Sequence, residues 1–159
     1  MTREDVIDMF QQAAAAEQMQ EPVRRYRELD RLYEAGLLSA GTRYPMRRYG
    51  AGSRWFFDWE HSCFNPAFRS TLGKNDADID KLTTADRYIR VNHAINPAWQ
   101  YFVRKVLIED YSIDEFLSMF PIFNRTGEEK AVLLRTLNAA LDQIAEAYEC
   151  LDRKKTDRI

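Results

Sequence analysis

The strongest constraint on the fold is a run of apolar residues at helical spacing near the C-terminus. A capping box, Thr126-Gly-Glu-Glu129, opens this run, which continues to about Arg153. The apolar positions are Leu134, Leu137, Leu141, Ile144, Tyr148 and Leu151. Their intervals alternate between three and four residues, which is typical of the seam of a left-handed helix pair. We therefore predict one long helix whose apolar side packs against its neighbours.

Further helices are predicted from capping and stop signals in the rest of the chain. Proline suits the first position of a helix, and glycine commonly ends one in the left-handed conformation. These signals predict helices over residues 3–19, from Pro22 to Gly36, from Pro66, over Thr84–Ala94, from Pro97, and from Ser112 to just before Pro121. The polar stretch 73–80 is predicted to be a loop. We expect an all-α fold in a single domain over residues 1–159, a compact bundle of about six or seven helices around the C-terminal one.

Residues 35–57 differ from the rest of the chain because they include no acidic side chain. Aromatic residues alternate there with four arginines, Arg43, Arg47, Arg48 and Arg54. The sequence Gly50-Ala-Gly-Ser53 is typical of a turn, so its flanks can pair as a small β-hairpin over residues 42–59. Pro45 would then lie on an edge of the hairpin, where it removes no ladder hydrogen bond.

This arginine–aromatic segment (residues 43–59) has three interpretations. Its arginines can pair with acidic faces of neighbouring helices while its aromatic rings lie in the core. Tyrosine, tryptophan and arginine are also enriched at hot spots of protein interfaces, which indicates a protein partner. Arginine grips phosphates and planar rings stack on bases, which indicates nucleic acid, and a basic hairpin after a helix resembles the wing of a winged-helix domain. The candidate partner-binding residues are Arg43, Arg47, Arg48, Tyr49, Arg54 and Trp55.

A cluster of chemically reactive residue types follows directly, at Glu60, His61 and Cys63. Together with His93, Glu60 and His61 are the candidates for a small enzyme or metal site. The alternative is that they lie at a helix junction beside packed aromatic rings. The zinc-binding and phosphate-binding signatures are missing from the sequence, so no metal and no cofactor are expected.

Charge and hydropathy bound the cellular environment that we expect. The formal net charge is -2, so no overall field attracts nucleic acid or an anionic membrane. No apolar run reaches the roughly 20 residues of a membrane span, and the charged N-terminus is unlike a signal peptide. With only Cys63 and Cys150, free thiols are expected rather than a disulfide framework. These features predict a cytoplasmic protein that does not engage a membrane.

The small size, the two histidines and the lack of a catalytic set favour a non-enzymatic binding protein. The first hypothesis is an accessory, regulatory or inhibitory factor that contacts a macromolecular partner, mainly a protein. The alternatives are a nucleic-acid-binding protein that uses the arginine–aromatic segment, and a small enzyme or metal site around Glu60, His61 and His93. A homodimer through the C-terminal helix is the alternative to a monomeric bundle built around that helix.

The seam of the C-terminal helix predicts a measurable effect of side-chain truncation. We expect Leu141→Ala to lower the free energy of unfolding by about 2–5 kcal/mol, because truncation in a core leaves a cavity. Urea unfolding of the two proteins measures this difference. A loss below about 0.5 kcal/mol, the range of surface substitutions, would mean that the seam faces solvent.

Overall fold

A computed structural model describes residues 2–9, 11, 27–69, 77–120 and 127–156. Residues 3–9 are helical. The further helices are α1 (Glu28–Glu34), α2 (Pro45–Glu60), α3 (Pro66–Arg69), α4 (Ala77–Ala94), α5 (Gln100–Leu107), α6 (Ile113–Ser118) and α7 (Glu128–Thr156). The described ranges contain no strand, so the predicted all-α class is confirmed. None of these helices combines the length and the apolar character of a membrane span.

The long helix α7 is the centre of the bundle, as its apolar spacing predicts. Leu137, Leu141 and Ile144 are completely buried, and Tyr148 is 3% exposed. Helices α2, α4 and α6 pack against α7. The seam is therefore covered by helices of the same chain. The predicted homodimer through this helix remains a prediction.

The predicted hairpin over residues 42–59 is wrong, and with it the resemblance to a winged-helix wing. This stretch forms most of α2, with Pro45 in its first turn, where the missing amide proton costs no hydrogen bond. Gly52 lies inside the helix, and an ideal Cβ atom there would be 2.8 Å from Leu29 Cδ2 and 2.9 Å from Leu141 Cδ2. The glycine permits the close approach of α2 to two neighbouring helices rather than a chain reversal.

The ends of several helices differ from the predictions. Arg27 has extended backbone angles, and its amide donates to Asp30 Oδ2 at 3.0 Å, so α1 begins at Glu28. Pro22, where we predicted its start, lies outside the described residues. Residues 96–99 form a tight turn in which the Trp99 amide donates to the Asn96 carbonyl. Helix α5 therefore begins at Gln100 rather than at Pro97.

Two further predictions extend beyond the residues that the structure describes. Residues 77–80 belong to α4, although the sequence predicted a loop over 73–80, and residues 73–76 are not described. The first predicted helix, over residues 3–19, is helical at 3–9 and at residue 11, and its other positions lie outside the described residues.

The predicted caps at Gly36 and Ser112 are confirmed. Gly36 has a φ of 74°, and the Leu37 amide donates to the Leu32 carbonyl at 2.9 Å, which is the backbone pattern of a Schellman ending. Ser112 Oγ accepts from the Glu115 amide at 3.0 Å at the start of α6. Each of these two helix boundaries is therefore set by a local signal, a left-handed glycine in one case and a capping serine in the other.

The close approach at Gly52 predicts opposite effects of one substitution at two neighbouring glycines. We expect Gly52→Leu to lower the free energy of unfolding by about 1–3 kcal/mol, because its Cβ atom alone would overlap the methyl groups of Leu29 and Leu141 and force them to move. Gly50 has no atom within 4 Å of its ideal Cβ position. Gly50→Leu is therefore expected to stabilise α2 by up to about 1 kcal/mol through helix propensity. Equal effects in urea unfolding would contradict the close approach.

Candidate functional site

One side of α2 carries arginines that pair with acidic residues of α7. Arg47 Nε lies 2.7 Å from Glu149 Oε1, and Arg54 forms two hydrogen bonds of 2.9 Å with Asp152. The hydrogen bond from Arg47 lowers the pKa of Glu149 below its usual range. Arg54 lies further along α2 than Arg47, and its partner Asp152 lies further along α7 than Glu149. The two helices therefore run in the same general direction.

Arg48 lies inside the protein and is 6% exposed. Its guanidinium donates to the carbonyl oxygens of Leu38 and Ala40 at 2.8 and 2.7 Å. It also donates to Asn138 Oδ1 at 3.2 Å and to both carboxylate oxygens of Asp142 at 2.8 and 3.0 Å. Arg48 therefore ties the loop between α1 and α2 to α7, and it offers no surface to a partner.

Trp55 is also internal. Its ring is completely buried, stacks on Tyr88 at a centroid distance of 5.1 Å, and donates through Nε1 to the Tyr88 carbonyl at 3.3 Å. One turn later, Asp58 is 2% exposed and accepts from Tyr148 at 2.6 Å and from Arg87 at 3.2 Å. Burial, together with the hydrogen bond to Asp58, raises the pKa of Tyr148 far above its ordinary range. The buried edge of α2 is thus structural.

The remaining predicted partner-binding residues lie in two different places. Arg43 is exposed in the loop before α2, and no described residue pairs with it. Tyr49 is partly buried, stacks on Tyr33 at 4.7 Å, and donates its hydroxyl to Asp30. The six predicted residues therefore do not form one continuous surface. Arg47, Arg48 and Arg54 face α7, whereas Tyr49 lies beside an open cleft.

This cleft has a volume of about 650 Å³ and lies where α1, α2 and the end of α5 meet. Half of its lining residues belong to one side of α2, and the others lie just after α2, at the start of α1, and at or after the end of α5. The lining residues are Arg27, Leu29, Asp30, Tyr49, Gly52, Ser53, Phe56, Phe57, Trp59, Glu60, His61, Leu107, Ile108 and Asp110. A volume in this range is typical of ligand-binding pockets. We refer to this site as the aromatic cleft.

Arg27 connects the walls of the aromatic cleft. Its guanidinium lies 3.3 Å above the ring centroid of Phe56 and donates to the Leu107 carbonyl at 2.6 Å. Burial lowers the pKa of Arg27 below its usual range, while the nearby Asp110, Glu60 and Asp30 oppose that shift. Asp110 has a φ of 65° and accepts from the Glu28 amide at 2.9 Å. The start of α1 is therefore fastened to the end of α5.

The candidate enzyme or metal residues are not brought together. His61 ends α2, where its ring lies 4.0 Å from the Phe57 ring and its Nδ1 is 2.9 Å from the Phe57 carbonyl. His93 is exposed in the last turn of α4. Within the described part of the chain, no three His, Cys, Asp or Glu side chains are grouped as a metal ion would require. Cys63 and Cys150 are free, as predicted.

Sequence reasoning missed the aromatic cleft. Phe56, Phe57 and Trp59 were recognised as part of the arginine–aromatic segment. That they line the same cleft becomes evident only when the segment is known to be a helix. Arg27 and Asp110 are 83 positions apart in the sequence and carry no shared motif. The signal that could have found part of the site is the helical spacing of Tyr49, Phe56 and Glu60.

Comparison with protein-family models, with curated proteins and with solved structures finds no match to this chain. The geometry of the cleft is therefore the basis for a functional proposal.

The contrast between Arg48 and Arg54 predicts different responses to the same substitution. Lysine cannot reproduce the planar fork that serves Leu38, Ala40 and Asp142, so we expect Arg48→Lys to cost at least about 1–3 kcal/mol, the penalty of a buried polar group left unpaired. Arg54 is 42% exposed in its pair with Asp152. Arg54→Lys is expected to change stability by less than about 1 kcal/mol. Urea unfolding tests both variants, and equal losses would contradict the structural role of Arg48.

Proposed function

We propose that this chain is a non-enzymatic binding protein, an accessory, regulatory or inhibitory factor, that receives part of a protein partner in its aromatic cleft. The observation that carries this proposal is the open wall of aromatic rings on the side of α2 that faces away from α7. Phe57 is 54% exposed, and Phe56, Trp59 and Tyr49 lie partly buried around it. Aromatic residues in concave, partly desolvated surroundings are typical of protein-interface hot spots.

The arrangement of charges favours a protein partner over nucleic acid. Arg47, Arg48 and Arg54 direct their guanidinium groups to Glu149, Asp142 and Asp152 of α7, so these arginines are largely neutralised by the same chain. Phosphate binding depends on cations that are available to release counterions from the nucleic acid. Arg43 is exposed and could serve that purpose, but a single arginine gives little affinity.

The test is capture of a partner from a lysate of cells that naturally produce the protein. Wild-type chain is compared with Phe57→Ala, which removes an exposed ring from the cleft. The matched control is Phe64→Ala, which removes a ring of similar exposure, 45%, that does not line the cleft. Mass spectrometry identifies captured proteins, and nucleic acid is assayed in the same eluates.

We expect one protein partner to be retained by the wild type and by Phe64→Ala, and to be lost or weakened at least about tenfold in Phe57→Ala. A tenfold change in Kd corresponds to about 1.4 kcal/mol, within the range of one interface hot spot. Retention of every partner by Phe57→Ala would contradict the cleft as the binding site. Salt-sensitive capture of nucleic acid alone would favour the nucleic-acid alternative instead.

A further inference from the structure

The charges that line the aromatic cleft are unequal in sign. Asp30, Glu60 and Asp110 contribute three carboxylates, whereas Arg27 contributes one guanidinium. Counted over these four side chains, three negative charges and one positive charge give the cleft a net charge of about −2. This excess arises beside the arginine–aromatic segment, whose own arginines point elsewhere. An anionic ligand would be repelled here and a cationic one attracted.

Two of the three carboxylates are already engaged. Asp30 accepts from the Tyr49 hydroxyl and from the Arg27 amide. Asp110 accepts from the Glu28 amide and lies 3.8 Å from Arg27 Nε. Within the described residues no hydrogen bond or ion pair is made by the Glu60 carboxylate. Arg27 is close enough to feel the charge of Glu60 but forms no ion pair with it. Among the three carboxylates of the cleft, Glu60 is therefore the one without a hydrogen-bond donor in the described part of the chain.

The aromatic cleft already holds one cation, the guanidinium group of Arg27. The guanidinium of Arg27 lies over the ring of Phe56 while its NH2 group donates to the carbonyls of Leu107 and Ile108. A cation above an aromatic face is attracted by the ring quadrupole, and more strongly where water is excluded. Phe57 and Trp59 offer further rings on the same wall, close in sequence to Glu60. A cleft lined by both aromatic rings and a carboxylate without a hydrogen-bond donor suits a segment that has an apolar side chain and a basic one.

Resting on the proposed function, we propose that the aromatic cleft binds a basic and apolar peptide segment of the partner, with the partner's lysine or arginine paired to Glu60 and an adjacent apolar side chain against Phe57. The volume of about 650 Å³ is enough for a few side chains, so the segment is short. Burial of the apolar side chain and the charge pair both contribute to the affinity, and the charge pair also selects the sequence of the peptide.

The test uses a random heptapeptide library displayed on phage and selected on the immobilised full chain. We expect the selected peptides to carry lysine or arginine next to leucine, methionine or an aromatic residue. The best peptide is then synthesised, and its Kd is measured by fluorescence anisotropy for the wild type and for each variant.

Three variants separate the contributions to binding. Glu60→Gln is expected to weaken the peptide at least about tenfold, the effect of one charge-assisted hydrogen bond. Glu60 is the last residue of α2, near the negative end of the helix dipole, so its neutralisation does not destabilise the fold. Phe57→Ala should weaken the same peptide to a similar degree. Glu34→Gln, at an exposed carboxylate outside the cleft, should leave the Kd unchanged.

Several results would overturn this inference. Selection of acidic or uncharged peptides that Phe57→Ala loses would reject the basic segment while leaving the cleft as a protein-binding site. Basic peptides bound equally by Glu60→Gln would reject the role of Glu60. Failure to enrich any peptide, while the lysate partner still depends on Phe57, would reject a short linear segment but not the proposed function. Loss of both peptide enrichment and Phe57-dependent capture would reject the proposed function as well.

Discussion

The missing side chain at Gly52 allows α2 to lie directly against α1 and α7, and the rest of the structure depends on that contact. The nearest atoms on the two sides are the methyl groups of Leu29 and Leu141, both in the core. In the observed rotation of α2 about its own axis, Gly52 faces these two methyl groups. The directions of all other side chains on α2 follow from that rotation.

Buried polar contacts hold the same rotation at both ends of α2. Arg48 joins the loop after α1 to α7, and Asp58 joins α2 to Tyr148 of α7 and Arg87 of α4. Breaking a buried, fully paired charge is costly because the remaining partner stays desolvated. The apolar contact at Gly52 therefore sets the distance between the helices, and the two charged groups oppose any rotation of α2.

This rotation separates the chemistry of α2 into two sides. Arg47, Arg48 and Arg54 pair with carboxylates of α7, so most of the positive charge of the segment is neutralised within the chain. The aromatic rings that line the cleft face the opposite way, beside the carboxylates of Asp30, Glu60 and Asp110, whereas the Trp55 ring is buried in the core. A stretch of sequence without acidic residues over positions 35–57 thus forms the wall of a cleft with an excess of negative charge.

The sequence by itself determined the elements whose signals are local. The alternation of Leu137, Leu141 and Ile144 is a property of one helix, and the caps at Gly36 and Ser112 involve atoms at most five residues apart. The all-α class and the buried side of α7 follow from such short-range rules. The helix starts at Glu28 and Gln100 were harder to predict. The Glu28 amide donates to the distant Asp110, and a tight turn precedes Gln100.

Only the tertiary structure decided the conformation of residues 45–60 and the position of the aromatic cleft. Two glycines around Ala51 suit a turn in isolation, and nothing local reveals that Leu29 and Leu141 approach one of them. The aromatic cleft likewise combines Arg27, Phe56 and Asp110, which belong to three separate parts of the chain. Local sequence specifies backbone hydrogen bonds between near neighbours, whereas a cleft and its net charge exist only after distant segments have packed together.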